Sequence, residues 1–223
     1  MINSRFTRAF SVRSMAMAGC LLLLAVLSRA QDAGVVRYKA SPLGSKVRIE
    51  GDSTVHHWSM TGQIIGGFLE VPAPLDPSQA AQAGVVGGKL NARAEISIPV
   101  TSMQSGTEGM DEVMQEDMNA KEYRSIKFHL TEMVLKEPHA AGTPLEFSTT
   151  GNLMVAGVTN KITMPVRIED AEKPNLKVTG SVPLKMTDYK VKPPVKLGVF
   201  KTTNEITVSF EWVIVPPKAA AAQ

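Results

Sequence analysis

The chain has 223 residues, of which 43% are hydrophobic and 20% charged, and its formal net charge is +3 at pH 7. This length and composition fit one globular domain with its own core. Because the chain contains a single cysteine, no disulfide can form within it.

Residues 1–30 are typical of an export signal. Three arginines form a basic start, an apolar run follows, and small residues precede a predicted cleavage site after Ala30. The apolar run is shorter than the ~20 residues that a membrane-spanning helix needs. A lipoprotein signal at Cys20 and an uncleaved anchor remain as alternatives. The segment predicts an exported protein.

Removal of this segment would change the charge of the chain. The segment contains four arginines and no acidic residue, so the remaining 193 residues would carry 20 basic and 21 acidic side chains. A formal charge of −1 gives no electrostatic basis for nucleic-acid binding, which needs a basic surface. Cys20 would also be removed, which excludes a cysteine nucleophile and a cysteine-ligated metal in the mature protein.

A period of two in hydrophobicity predicts β-strands along most of the remaining chain. A leader over residues 31–44 precedes the strands, a loop rich in Pro, Gly and Ala interrupts them at 72–88, and a disordered tail follows at 216–223. The predicted strands cover residues 47–50, 54–60, 62–71, 89–100, 126–131, 145–155, 162–168, 176–186 and 206–214.

Residues 89–100 show the alternation most clearly. The apolar face is formed by Leu90, Ala92, Ala94, Ile96 and Ile98. This face has no titratable group and includes two small side chains. It could therefore pack a filled core or line an apolar cavity, in which the alanines would leave room.

One helix is predicted, over residues 106–120. Met110, Val113, Met114 and Met118 recur at helical spacing, and acidic residues occupy the other side. Methionine side chains are flexible and polarizable, so this stripe could cover a core or form the lid of a ligand tunnel.

Eight or nine strands joined mainly by tight turns favour an antiparallel barrel or sandwich. Closure into a barrel is favoured because every strand has only one apolar side. A barrel of about eight strands can be filled by side chains or can hold one slender ligand. Small residues on the predicted inner wall favour a cavity, and they include Gly66, Gly67, Gly151, Gly180, Ala92 and Ala94.

Catalytic and metal sites are not indicated by the sequence. His56 and His57 are adjacent and would point to opposite faces of a strand, and no His-x-His or His-x-x-x-His spacing occurs. The chain has no Gly-x-Ser-x-Gly elbow, dinucleotide fingerprint or phosphate loop. We therefore predict no catalytic residue, no metal and no cofactor, and an enzyme is the minority interpretation. His56 shares a predicted face with Trp58. There its side chain could form a hydrogen bond with a ligand head group or with a backbone carbonyl.

Four motifs in order together resemble the YceI-like family of bacterial proteins. They are residues 53–58 (STVHHW), 110–128 (MDEVMQEDMNAKEYRSIKF), 151–161 (GNLMVAGVTNK) and 184–194 (LKMTDYKVKPP). The resemblance extends over residues 35–215. Arg124 departs from it, since the family usually has proline there.

The resemblance implies an all-β fold with one helix. It is an eight-stranded antiparallel lipocalin-like β-barrel, over residues 45–215, that encloses an elongated apolar cavity in a periplasmic protein. It also implies a long apolar ligand inside the barrel, such as a polyisoprenoid, an isoprenoid quinone or a fatty-acid amide. A membrane or membrane protein that donates or accepts the lipid, and a homodimer, are left open as partners.

The predicted ligand-binding residues lie mostly on the inward faces of the strands and on the helix stripe. They are His56, Trp58, Leu90, Ala92, Ala94, Ile96, Met110, Met114, Phe128, Leu130, Leu153, Leu184, Asp188, Tyr189, Phe210 and Trp212. His56, Thr187, Asp188 and Tyr189 are the candidates for the head group, although Asp188 could instead anchor a long loop. The alternatives to a lipid carrier are an enzyme acting on such a lipid, and a structural or partner-binding domain with a filled core.

Overall fold

The computed structural model describes residues 35–196 and 200–218. The predicted signal peptide and the last five residues of the predicted tail lie outside the described residues. Within these ranges the chain forms thirteen β-strands, one α-helix and two short 3-10 helices. Among the described residues, no helix combines the length and apolar character needed to cross a membrane.

Most of the strands follow one another in a meander. Their bounds are β1 Val36–Ala40, β2 Lys46–Ser53, β3 His57–Gly62, β4 Gly66–Val71, β5 Val85–Val86, β6 Lys89–Leu90, β7 Arg93–Pro99, β8 Ser125–Leu135, β9 Leu145–Val155, β10 Val158–Asp170, β11 Leu176–Lys185, β12 Val195–Lys196 and β13 Phe200–Val215. The helix α1 is Glu108–Asp117, and the 3-10 helices are Val100–Ser102 and Met186–Tyr189.

Eight of the described strands close an antiparallel barrel. The order of neighbours is β1, β4, β7, β8, β9, β10, β11 and β13. β13 returns to β1 through the pairs Lys39↔Val215 and Ala40↔Ile214. The hairpin of β2 and β3 pairs with the earlier part of β13. The predicted all-β fold, an eight-stranded antiparallel barrel with one helix, is confirmed.

The first barrel strand lies where the sequence predicts a leader. β1 alternates apolar and basic residues, but over only five positions, which is a weak signal. Two neighbours, β4 and β13, pair with it, so tertiary pairing rather than length stabilises the strand. The barrel therefore begins before residue 45.

The predicted strand over residues 89–100 is two strands. The N–H of Ala92 donates to the carbonyl oxygen of Leu90 at 2.9 Å, and this tight turn ends β6. β6 forms a hairpin with β5 around Gly87 and Gly88, both of which have positive φ. The apolar alternation continues across the turn, so the break leaves no mark in the sequence pattern.

Helix α1 is shorter than the predicted span of residues 106–120. Asp111 accepts bonds from the backbone N–H and the hydroxyl of Ser105, at 2.7 and 2.6 Å. These bonds hold the residues before the helix against its first turn. Met118 lies just beyond the helix and is buried.

One end of the barrel is a packed core. Leu145, Phe147, Ile168 and Ile214 have no exposed surface. Tyr38 and Leu75 belong to the same cluster, and the N–H of Leu75 donates to the hydroxyl of Tyr38 at 3.2 Å. The loop after β4 is thereby held against β1, at the end where β1 closes the barrel.

We expect Tyr38→Phe to lower the free energy of unfolding by about 1–3 kcal/mol, because it leaves the buried N–H of Leu75 without an acceptor. Urea unfolding followed by circular dichroism measures the change. Tyr123→Phe, at a partly exposed ring, is the control and should change stability by less than about 0.5 kcal/mol. Equal losses in the two variants would contradict the role of the buried hydrogen bond.

Candidate functional site

The other end of the barrel is hollow. It contains a cavity of about 800 Å³ whose wall is almost entirely apolar. This volume lies towards the upper end of the ~300–1,000 Å³ typical of small-molecule sites. Along β13 the inward face changes from core to cavity wall, since Ile214 is packed whereas Phe210, Val208 and Ile206 line the cavity.

The same division occurs on other long strands of the barrel. On β9, Phe147 is fully buried in the core and Leu153 lines the cavity. On β10, Ile168 is fully buried and Ile162 lines the cavity. Each long strand is therefore core at one end and cavity wall at the other.

Three aromatic rings of the wall lie against glycines of adjacent strands. A Cβ added at the glycine would be 2.5 Å from the ring in the pair Gly51–Trp58, 2.6 Å in Gly180–Phe210 and 2.3 Å in Gly151–Phe128. The rings therefore lie along the wall and not across the lumen. The sequence analysis expected Gly151 and Gly180 to leave free volume in the cavity. They do not, because aromatic rings occupy the space beside them.

The cavity opens between the β2–β3 turn, helix α1 and the segment after β11. Met110, Val113 and Met114 of the helix line the cavity, and no residue of the helix is buried. Val55, Val113 and Val195 belong to three different elements of the mouth, and their exposed fractions are 57%, 42% and 57%. We call these three valines the apolar rim. The methionine stripe thus faces a cavity.

Polar side chains of the cavity lie at the mouth. They are Ser53, His56, Thr107, Asp117 and Thr202. The pKa of Asp117 is raised, chiefly because the carboxyl group is partly desolvated. The neighbouring Glu116 raises it further and Lys192 opposes the shift. The mouth can therefore supply a few hydrogen bonds to a ligand, and the interior of the cavity is apolar.

His56 lies in the β2–β3 turn and not on a strand face. The hydroxyl of Ser53 accepts the His56 N–H at 3.2 Å and donates to the His56 carbonyl at 2.8 Å. A serine turn of this kind takes the following residues out of the strand. The predicted strand over residues 54–60 is wrong in its first three residues, although His56 still lines the mouth.

Eleven of the sixteen predicted ligand-binding residues line the cavity. They are His56, Trp58, Ile96, Met110, Met114, Phe128, Leu153, Leu184, Tyr189, Phe210 and Trp212. Leu90 and Ala94 are buried in the packed core, and Ala92 and Leu130 pack against it. Ala94 pairs with Leu69 near the packed end, so the two alanines do not make room for a ligand.

Three of the four predicted head-group residues, Thr187, Asp188 and Tyr189, belong to the 3-10 helix after β11. The carbonyl oxygen of Asp188 accepts a bond from Nδ2 of Asn160 at 2.7 Å. The backbone N–H of Thr187 donates to Oδ1 of Asn204 at 3.0 Å, and Nδ2 of Asn204 donates to the Thr187 hydroxyl at 2.9 Å. These bonds to Thr187 and to the backbone of Asp188 hold the segment in place. Only Tyr189 of the three lines the cavity.

Most wall residues that the sequence analysis missed occupy alternate positions of its predicted strands. They include Val47, Ile49, Met60, Ile98, Ile126, Ile162, Met164, Val182, Ile206 and Val208. The period of two could have identified them. Val55 and Val195 of the apolar rim follow no periodic pattern, since they lie in a turn and in a two-residue strand.

His57 lies on the outer side of the β2–β3 hairpin between two carboxylates. Its Nδ1 is 3.0 Å from Oδ1 of Asp52, and its Nε2 is 3.3 Å from Oε1 of Glu50. The pKa of His57 is raised above its ordinary value of 6.5, first by the hydrogen bond to Asp52 and then by that to Glu50. In the described residues, no group of three or more His, Cys, Asp or Glu side chains could hold a metal ion.

This chain is similar to a known domain family and to several solved structures. The YceI-like domain model matches residues 38–214. BcnA of Burkholderia cenocepacia is 20% identical with a TM-score of 0.56, and the match covers 76% of this chain and 95% of that one. A polyisoprenoid binding domain of Saccharophagus degradans, implicated in plant cell wall breakdown, is 13% identical with a TM-score of 0.58, covering 81% and 98%.

The YceI protein of Campylobacter jejuni is also similar. It is 18% identical with a TM-score of 0.51, and the match covers 71% of this chain and 84% of that one. No protein with a curated description matches the chain. At these identities the solved structures support the fold.

We expect Gly51→Ala to push the Trp58 ring off the wall into the cavity, because the new Cβ would meet the ring at 2.5 Å. Binding of the apolar dye Nile red should fall, and stability should fall by about 1–3 kcal/mol through overpacking. The matched control is Gly66→Ala, where the nearest atom to a new Cβ is 3.6 Å away. Equal dye binding in both variants would contradict the wall geometry.

We expect the stabilising contribution of His57 to be lost with rising pH. Because its folded-state pKa is raised, the contribution is complete below the unfolded value of about 6.5 and disappears as the pH rises through the folded value. The difference in Tm between the wild type and His57→Gln should therefore be larger at about pH 5.5 than at about pH 8.5. A difference that grows with pH would contradict the pairing with Asp52 and Glu50.

Proposed function

Because the chain belongs to the YceI-like domain family, we propose that it holds a long-chain apolar lipid non-covalently inside its barrel. The observation that carries this proposal is the apolar cavity of about 800 Å³, open at one end, in a barrel whose other end is packed. The ligand class is a polyisoprenoid, an isoprenoid quinone or a fatty-acid amide. The polyisoprenoid binding of the S. degradans domain supports the first of these.

Binding in an apolar cavity favours ligands with long chains. Each methylene group removed from water contributes about 0.8 kcal/mol, whereas association costs about 4–15 kcal/mol in lost translational and rotational freedom. Apolar burial alone therefore offsets the cost of binding only when roughly five to twenty carbons are enclosed. A wall that is almost entirely apolar then discriminates by the length and thickness of the ligand, and a few polar groups position its head group.

The proposal includes export to the periplasm, which the signal-like composition of residues 1–30 supports. There the protein would receive the lipid from, or deliver it to, a membrane or membrane protein. The apolar rim supports this exchange, since a chain that leaves the cavity at the mouth first meets exposed valines on three elements.

A binding role fits the polar groups better than catalysis does. Ser53 and His56 are neighbours at the mouth, but the Ser53 hydroxyl bonds the backbone of His56 and not its imidazole. A nucleophile must lie within hydrogen-bond reach of its base. The fully packed alternative is disfavoured by the cavity itself.

We expect protein purified without detergent to carry an extractable apolar molecule, and native mass spectrometry should show its mass before delipidation and its loss afterwards. The delipidated protein should take up geranylgeraniol, a twenty-carbon prenyl alcohol, because its chain length reaches the upper end of the energetic threshold of roughly five to twenty carbons. An empty organic extract combined with no uptake of the alcohol would falsify the proposed function.

A pair of variants tests whether the hollow half is the site. Val208→Trp enlarges a side chain of the cavity wall and should weaken uptake of geranylgeraniol about tenfold or more, with a stability change below about 1 kcal/mol. Ala94→Phe enlarges a side chain of the packed core and should instead cost about 1–3 kcal/mol of stability while uptake is retained. Wild-type uptake by Val208→Trp would rule out the cavity.

A further inference from the structure

The barrel wall is interrupted between β10 and β11. Their backbone pairing extends from Asp170↔Leu176 to Val166↔Gly180 and stops there. β10 continues to pair with β9 over residues 158–165, and β11 continues to pair with β13 over residues 181–185. Within the described part of the chain, these two segments face each other with no hydrogen-bonded ladder between them.

Two prolines lie where this ladder ends. Pro165 immediately precedes the last paired residue of β10, and Pro183 lies in the unpaired part of β11. The carbonyl oxygen of Pro165 is 3.0 Å from a Cβ built on Gly180, so this edge of Pro165 faces β11. Because a strand residue presents its N–H and C=O on the same edge, proline removes the donor that would extend the ladder.

A cleft in the outer surface lies over this interruption. Ile162, Val182, Leu184 and Tyr189 line both the cleft and the cavity. These are the inward residues of the unpaired segments, together with the tyrosine of the following 3-10 helix. Ile162 and Leu184 are only half-buried. Side chains alone therefore separate the cavity from the surface at this point.

The inward residues nearest the end of the ladder are still buried. Met164 and Val182 lie just beyond the last pair and are buried, whereas Ile162 and Leu184, one step farther along, are half-buried. The thin part of the wall therefore lies at the far end of the unpaired segments, where Ile162 and Leu184 line both the cleft and the cavity.

The cleft and the mouth differ in polarity. The outer lining of the cleft is polar, and its charges balance, with Lys161 and Lys185 against Asp188 and Glu205. Asn160 and Thr163 add neutral hydrogen-bonding groups. The mouth under α1 combines the apolar rim with a few polar side chains, among them Ser53 and His56. At the cleft a polar group of a bound molecule meets hydrogen-bonding partners on both strands, and a charged group gains no net attraction because the lysines and carboxylates balance.

We infer that the interruption between β10 and β11 is a lateral opening of the cavity, and that it holds the uncharged, hydrogen-bonding head group of the bound lipid. This inference rests on the proposed function and adds the position and charge class of the head group. The chain extends from the opening into the cavity, towards the apolar rim. An alcohol, a carbonyl or an amide fits this site, whereas a diphosphate would gain no net attraction there to offset the cost of its desolvation.

Photo-labelling of the wild-type protein tests the position of the head group. The probe is geranylgeraniol with a diazirine beside its hydroxyl group, and a second probe carries the diazirine at the far end of the chain. We expect the head probe to label residues 160–163 or 183–189, and the tail probe to label other parts of the cavity wall. Mass spectrometry of peptides locates the adducts.

Labelling of residues 53–58 or 108–117 by the head probe would overturn the lateral site and leave the proposed function standing. If neither probe labels the protein and native mass spectrometry shows no uptake, both the proposed function and the inference fail. The charge class is tested with geranylgeranyl diphosphate, which should bind about tenfold or more weaker than the alcohol. Equal affinity would overturn the preference for an uncharged head group.

A matched pair of tryptophan variants tests the opening independently of the probes. Lys161→Trp places a large ring at the unpaired part of β10, and it should weaken retention of geranylgeraniol about tenfold. Arg167→Trp is its control, since Arg167 is exposed on the same face of β10 where both edges are paired. Retention in the control should stay within about twofold of the wild type, and equal losses in the two variants would count against the opening.

Discussion

The stability of this barrel comes mainly from the packed core at one of its ends. A domain of this size gains its stability from apolar burial, and a hollow interior gives up part of that burial. Here Phe147, Ile168 and Ile214 fill one end with no exposed surface, and Trp212 lies at the boundary with the cavity. Because every long strand takes part in both ends, the packed end also holds the cavity wall in register. The hollow end can then remain open without independent support.

The sequence predicted the fold because alternation of apolar and polar residues reports the inward face of each strand. It could not predict which end is hollow, because Leu153 on the cavity wall and Phe147 in the core belong to the same periodic pattern. It also missed features determined by local hydrogen bonds, such as the Ser53 turn that takes His56 out of its strand. β1 was missed because five residues are too few for periodicity alone.

The cavity wall is shaped by main-chain features as much as by side-chain size. Glycines let the rings of Trp58 and Phe210 lie along the wall, which keeps the lumen free although large residues face it. Prolines act on the ladder, since Pro165 and Pro183 occur where β10 and β11 separate. Neither effect follows from the volume of the residue, and this is why small residues in the sequence were a poor guide to empty space.

The division of each strand into a packed and a hollow part has an evolutionary consequence. A substitution in the packed part, such as one at Phe147 or Ile168, removes contacts of a fully buried side chain and lowers the stability of the fold. A substitution at a cavity position such as Val208 or Ile162 removes few packing contacts, so the chain can tolerate it. Ligand preference can therefore drift while the architecture is conserved. Three solved structures with 13–20% identity to this chain still share its fold.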